Sequence, residues 1–384
     1  MKKCFKDFVR LKRGFDLPVK KRISGEIPVY SANGISGFHN TPSCPAPGVI
    51  TGRSGTIGSV MYSQTPFWAL NTTLFVEEFK GNVPRFVYYF LLNFDLSRFS
   101  AGAVVPTLNR NDFSDISIDV PEKDEQLRIA SILGSLDEKI EINRKKIEKL
   151  EALARMIYEH WFVQFDFPDA NGKPYKSSGG AMVWNEELKQ EIPVGWGVNN
   201  LYYIAEYING CACQKYYAKD GDDALPVVKI KEMHEGFSSE TEYVKSSVPE
   251  KYKITAGDIL FSWSASLEVM TWTGTDSCLN QHIFHVVPHN GFSPLYVLQQ
   301  LQIYIRKFIL FANARKTTMG HITADHIEQS RIVVPPNCLI CEFSEKFEAL
   351  YAEQIILQKE IQKLMSIRDW LLPMLMNGQV GVSA

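Results

Sequence analysis

The 384-residue sequence predicts an α+β fold. Two tandem α/β globules, related by a pseudo-two-fold internal repeat, are separated by two long helices expected to pair as an antiparallel coiled coil. Three observations carry this. A heptad seam runs through the middle of the chain, a second seam of matching length lies near its end, and the segments preceding the two seams share blocks of similarity in the same order. The length suits two or three domains, each large enough to bury its own core.

The first globule is placed at 1–120. Short β-branched and aromatic runs broken by Gly and Pro, such as IPVYSANGI (27–35) and GSVMY (58–62), read as strands, and PRFVYYFLLNF (84–94) reads as a helix. The first long helix occupies 121–165. Its seam is Ile129, Leu133, Leu136, Ile140, Asn143, Ile147, Leu150, Ala154, Ile157 and Trp161, with spacings that alternate four and three. Nine of these ten are apolar, and the run exceeds the three or four turns of an ordinary amphipathic helix. Asn143 is the polar member, a kind of residue that lowers stability but can fix register. The aromatic run WFVQFDFP (161–168) ends the helix.

A linker is expected at 166–190, the second globule at 191–335 and the second long helix at 336–384. Adding 214 to the first seam gives Phe343, Phe347, Leu350, Gln354, Leu357, Ile361, Leu364, Arg368, Leu371 and Leu375, eight of them apolar. Gln354 and Arg368 predict weaker pairing there. The repeat extends upstream. DFSDISIDVPEKDEQ (112–126) lies over HIEQSRIVVPPNCLI (326–340), again at 214. GVITGRSGTIGSVM (48–61) lies over GDILFSWSASLEVM (257–270), and NTTLF (71–75) over NQHIF (280–284), both at an offset of 209. IPVYSANGI lies over LPVVKIKEM (225–233) at 198. Offsets that grow while order is kept are the mark of a duplication with loop insertions.

Composition narrows the function classes. No apolar run approaches the ~18 residues of a membrane span, and MKKCFKDFVRLKR has no signal-peptide core, so the expected compartment is cytoplasmic with no membrane partner. Seven cysteines, an odd number, argue against a disulfide framework. Cys211 and Cys213 are close in sequence, and Cys338 and Cys341 have C-x-x-C spacing, but no second pair stands at a matching distance. Buried free thiols are therefore expected, and no metal site.

Catalytic motifs are equally sparse. GRSGTIGS lacks the Lys of a Walker loop and the spacing of G-x-G-x-x-G, and its repeat partner keeps none of its glycines. There is no N/D-P-P-Y/F motif of an adenine methyltransferase, no paired carboxylates with a Lys as in a nuclease, and no H-E-x-x-H. The expectation is a chain that is not an enzyme.

The order of globule, heptad helix ending in WFVQFDFP, linker, restart at EIPVGWGV (191–198), globule and final helix resembles the specificity subunit of a type I restriction-modification system. The pieces that carry the resemblance are IPVYSANGISGF, the RSGTIG loop, VPEKDEQLRIASILGSLDEKIE and the aromatic cluster. It implies two target recognition domains, each recognising one half of a split double-stranded DNA sequence, and helices that act as spacer and as platform for two methyltransferase subunits. Restriction subunits are a further partner it allows. It places S-adenosylmethionine, ATP and magnesium on the partner subunits and no cofactor in this chain.

Charge is consistent with such a role in one globule. The total is −2, but residues 1–115 carry 14 Lys and Arg against 8 acids, nine of the cations lying in the first 22 positions. Residues 166–331 carry 15 against 19, with a local basic group at Arg306, Lys307, Arg315 and Lys316. Candidate DNA-binding residues are the polar loops where the repeats align: Arg53, Ser54, Thr56, Asn71, Thr72, Thr107, Asn109 and Arg110 in the first globule. In the second they are Ser262, Trp263, Ser264, Asn280, Gln281, His282, Lys316, Thr317, Thr318 and His321. Arg can pair bidentately with guanine, and Asn or Gln with adenine. For any one of them the competing reading is a turn or strand-end group satisfied by backbone. For the chain it is a coiled-coil structural adaptor with peptide-binding globules, which the near-neutral total charge keeps open.

Overall fold

The computed structural model describes residues 1–101, 107–238, 240–264, 266–314, 322 and 324–381. The chain divides into two compact units, Met1–Ile140 with Lys363–Ala384, and Glu141–Gln362.

The first unit is built on a four-stranded antiparallel sheet in the order Arg10–Arg13, Thr73–Glu78, Gly48–Gly52, Val60–Ser63. The strand GVITG is buried at all five positions, as its continuous apolar and small side chains require of an inner strand. A smaller sheet pairs Gly34–His39 antiparallel and Trp68–Ala69 parallel to Ile27–Ser31. The helix Pro84–Asn93 starts on a proline at its first turn, where the missing N–H costs nothing, and buries Phe86, Val87, Tyr89, Phe90 and Leu91. They share a core with Phe5, Phe8 and Phe113, and with Ile129, Leu133 and Leu375 from the two long helices.

The second unit repeats this plan. Its main sheet runs Ala205–Asn209, Ile283–Pro288, Ile259–Ser262, Glu268–Thr271, and a second sheet runs Tyr243–Lys245, Ala224–Val228, Ser277–Leu279, Lys253–Ile254. The parallel pair recurs as well: Val29 faces Trp68 in one unit, and Val227 faces Cys278 in the other. Met182–Asn185, in the expected linker, and Gln190–Pro193, which runs from its end into the expected second globule, form a hairpin.

Hydrogen bonding corrects the alignment in one place. The Arg53 N–H donates to Thr72 O at 2.8 Å, and the Trp263 N–H donates to His282 O at 3.3 Å. Both partners are related by 210, not 209. Because side chains alternate along a strand, a slip of one residue exchanges buried and solvent faces. Arg53 therefore corresponds to Trp263, not to Ser262, and Thr72 corresponds to His282.

The first long helix runs Lys123–Tyr158 and continues through a wider π-type turn at Glu159–Val163, while the second runs Asn337–Met376. None of the twenty seam positions is exposed. In the first unit Arg368 reaches Asp137 at 3.0 Å, and in the second Asn143 donates to Glu360 at 2.8 Å and Trp161 packs on Phe343 with centroids 5.7 Å apart. These pairs run antiparallel along the helices. Arg368 is not left unpaired on the seam: Asp137 accepts from it and also accepts a 2.5 Å hydrogen bond from the Tyr89 hydroxyl. The aromatic run after Tyr158 is core: Phe162 packs on Tyr296 and Phe343, and Phe165 and Phe167 pack on Trp196.

Candidate nucleic-acid interface

In the first unit the three sequence-predicted polar segments meet. The chain leaves the buried strand at Gly52, where a Cβ would lie 1.9 Å from Thr56 O, so only glycine permits the tight turn that follows. Past it, the Arg53 and Ser54 N–H groups both donate to Thr72 O, the Leu108 N–H donates to Arg53 O, and Ser54 is bridged to Thr107. Arg53–Ser54, Asn71–Thr72 and Thr107–Arg110 are thereby set side by side by backbone alone.

Of these, Arg53 and Thr107–Arg110 border a cavity of about 1010 Å³ whose other wall comes from Arg10, Lys12, Arg13, Asp16 and Glu77. Glu77 binds Arg10 at 2.7 Å and Lys12 at 2.6 Å. The Lys12 hydrogen bond, opposed by desolvation and reinforced by Arg10, holds the Glu77 carboxyl below the usual range. Glu77 thus stays anionic at neutral pH and cancels part of the basic wall, and Arg10 is further paired with Glu78. Arg110 donates to Leu11 O, Asn71 donates to Asp16, and Thr56 donates to Asn33. Asn109 accepts from the Asn111 N–H, which makes it a turn-former. Among the described residues, the Arg13 and Arg53 side chains have no ion-pair or hydrogen-bond partner.

Arg10, Lys12, Arg13 and Asp16 were not singled out as site residues from sequence. Their signal was the concentration of nine cations in the first 22 positions.

In the second unit the same frame carries different chemistry. Trp263 lies against His282 with centroids 5.5 Å apart, and its indole N–H donates to Asn209 at 3.0 Å, a partner sequence reading missed. His282 is exposed and Gln281 half-buried, their side-chain nitrogens 3.4 Å apart. Three candidates fail to reach the surface. Ser262 is 1% exposed and its hydroxyl serves Ser264 O. Ser264 is buried, and Asn280 is buried and accepts from the His282 N–H. The one-residue slip is the cause, since it turns Ser262 and Asn280 inward. Lys316, Thr317, Thr318 and His321 lie outside the described residues.

The family model described as the type I restriction modification DNA specificity domain matches residues 1–152 and 193–365. The chain is 26% identical over 316 residues to the MjaIX specificity subunit of Methanocaldococcus jannaschii, covering 79% of this chain and 70% of that one. It is 23% identical over 375 residues to the HindI specificity subunit of Haemophilus influenzae, covering 82% and 81%. The crystal structure of a type I restriction-modification S subunit from M. genitalium superposes with a TM-score of 0.62 at 16% identity, over 98% of this chain and 95% of that one, which shows the shared fold. Two matched segments, each spanning one copy of the repeat, place this chain in the type I restriction-modification DNA specificity family.

Proposed function

We propose that the chain is the non-catalytic recognition subunit of its system, with each unit recognising one half of a split double-stranded DNA target. One observation carries this reading: the same hydrogen-bonded frame presents Arg53 beside Thr72 in one unit and Trp263 beside His282 in the other. A shared scaffold with different side chains at its rim suits two different half-sites. Arg13, Arg53 and the basic wall supply phosphate and guanine contacts in the first. Trp263, Gln281 and His282 supply stacking and polar contacts in the second. The modest net charge leaves further phosphate contacts to partners.

Two methyltransferase subunits are the proposed partners, one for each copy of the repeat, with restriction subunits as a further one. S-adenosylmethionine, ATP and magnesium would then act on those partners. Mass measurement of the reconstituted complex is expected to show two methyltransferase copies at saturation, and a gel shift to show sequence-specific retardation that strengthens when they are added. A single copy at saturation, or equal binding to scrambled DNA, would overturn the reading.

A further inference from the structure

The second unit holds a cluster that the recognition frame does not use. Cys211, Cys213 and Cys278 are 5%, 1% and 0% exposed. The Cys211 Sγ lies 3.7 Å from that of Cys213 and 3.6 Å from that of Cys278, and all three sulfurs lie within 4.8 Å of one another. We propose that these three cysteines form a binding site for a thiophilic closed-shell cation of the zinc class.

The separations are the first argument. A tetrahedral cation with bonds of about 2.3 Å to sulfur spaces its ligands by roughly 3.75 Å, close to the two separations from Cys211, whereas a disulfide needs about 2.05 Å. The second argument is how the backbone builds the site. Gly210 approaches Asn280 so closely that a Cβ would lie 2.2 Å from its carbonyl oxygen. That approach lets the Cys211 N–H donate to Leu279 O at 2.9 Å, which brings Cys211 against Cys278 from 67 residues away. Val227, Val244 and Val248 close the cluster off from solvent.

The internal repeat is the third argument, because it shows what the fold does at this place without thiols. Gly14 and Leu70 make the same 2.2 Å approach, and Phe15 and Trp68 stand where Cys211 and Cys278 stand. Their rings touch edge to face at 6.3 Å. An apolar pair thus suffices for the scaffold, and packing alone does not call for three cysteines. Bound cation would replace three thiol protons, which pass to solvent, so uptake strengthens as pH rises. Asn280, whose amide lies 4.0 Å from the Cys213 sulfur and accepts from the His282 N–H, links the site to the Gln281–His282 turn.

The test uses the full chain, stripped with a chelator and titrated with Zn²⁺. A single zinc bound per chain is expected, with a rise of several degrees in Tm. Uptake is expected to be lost in Cys278→Val and Cys213→Ala and kept in the Cys338→Ser/Cys341→Ser double variant, whose cysteines are exposed. Should the buried variants not fold, the wild-type chain decides alone: Co²⁺ added in place of zinc is expected to give thiolate-to-metal charge-transfer absorption. Folded wild-type chain that takes up neither ion overturns the proposal, as does zinc uptake that survives Cys278→Val or is lost with Cys338 and Cys341.

Discussion

Arg53 is the residue on which the proposed recognition surface of the first unit turns. Its backbone is locked from both sides, by Thr72 O and by the Leu108 N–H, while its guanidinium has no partner among the described residues. A fixed Cα with an unspent fork of donors is the arrangement a bidentate guanine contact needs. Arg53→Ala is expected to cost about 1 to 3 kcal/mol of discrimination at one base position, measured as the ratio of affinities for cognate and singly altered duplexes. Arg13, on the opposite wall, is more exposed and is not held by such a frame. Arg13→Ala is expected to weaken all duplexes alike and to reduce the slope of log affinity against log salt by about 1. If Arg53→Ala instead behaves as Arg13→Ala is expected to, Arg53 is a phosphate contact.

At the scale of elements, the sequence made the repeat and the seam legible and left the strand register hidden. The heptads could be counted because a buried helical face must recur every three or four residues. The ordered blocks could be aligned because insertions fall in loops. The offset of 209 in place of 210 arose because register is set by inter-strand hydrogen bonds, and Met61 over Met270 does keep 209 on the far side of a loop one residue shorter. For the same reason Ser262 and Asn280 looked like surface groups. The thiol cluster was hidden because Cys278 joins Cys211 only through the fold. Seam polarity was also misleading taken one helix at a time. Arg368 looked like a defect, but Tyr89, Asp137 and Arg368 form a connected set across three elements, with the Arg368 and Asp137 side chains 24% and 22% exposed. Arg368→Ala is expected to cost about 2 kcal/mol in urea unfolding, as loss of a hydrogen bond to a charged group. Adding Asp137→Ala is expected to cost less than the sum of the two single changes. Strict additivity would mean that the pair contributes nothing.

For the molecule as a whole, both long helices cross the boundary between the units, at Ile140 and at Gln362. If the helices act as the proposed spacer, a matched change in their length changes the gap between the two half-sites. Asp137 with Arg368 and Asn143 with Glu360 fix which residues face each other, so matched insertions belong between those pairs, after Ile140 and after Gln362. Seven residues added to each helix keep the seam in register and lengthen it by roughly 10 Å at about 1.5 Å per residue. B-DNA rises about 34 Å over a turn of roughly 10 base pairs, so the increment equals about three base pairs where the helices lie along the duplex. Mapping of methylated sites for the doubly extended chain with its partners is expected to show both half-sites unchanged and the unread gap between them wider by about two to four base pairs. An active variant that keeps the original gap would show that spacing is set by the partner subunits and not by these helices.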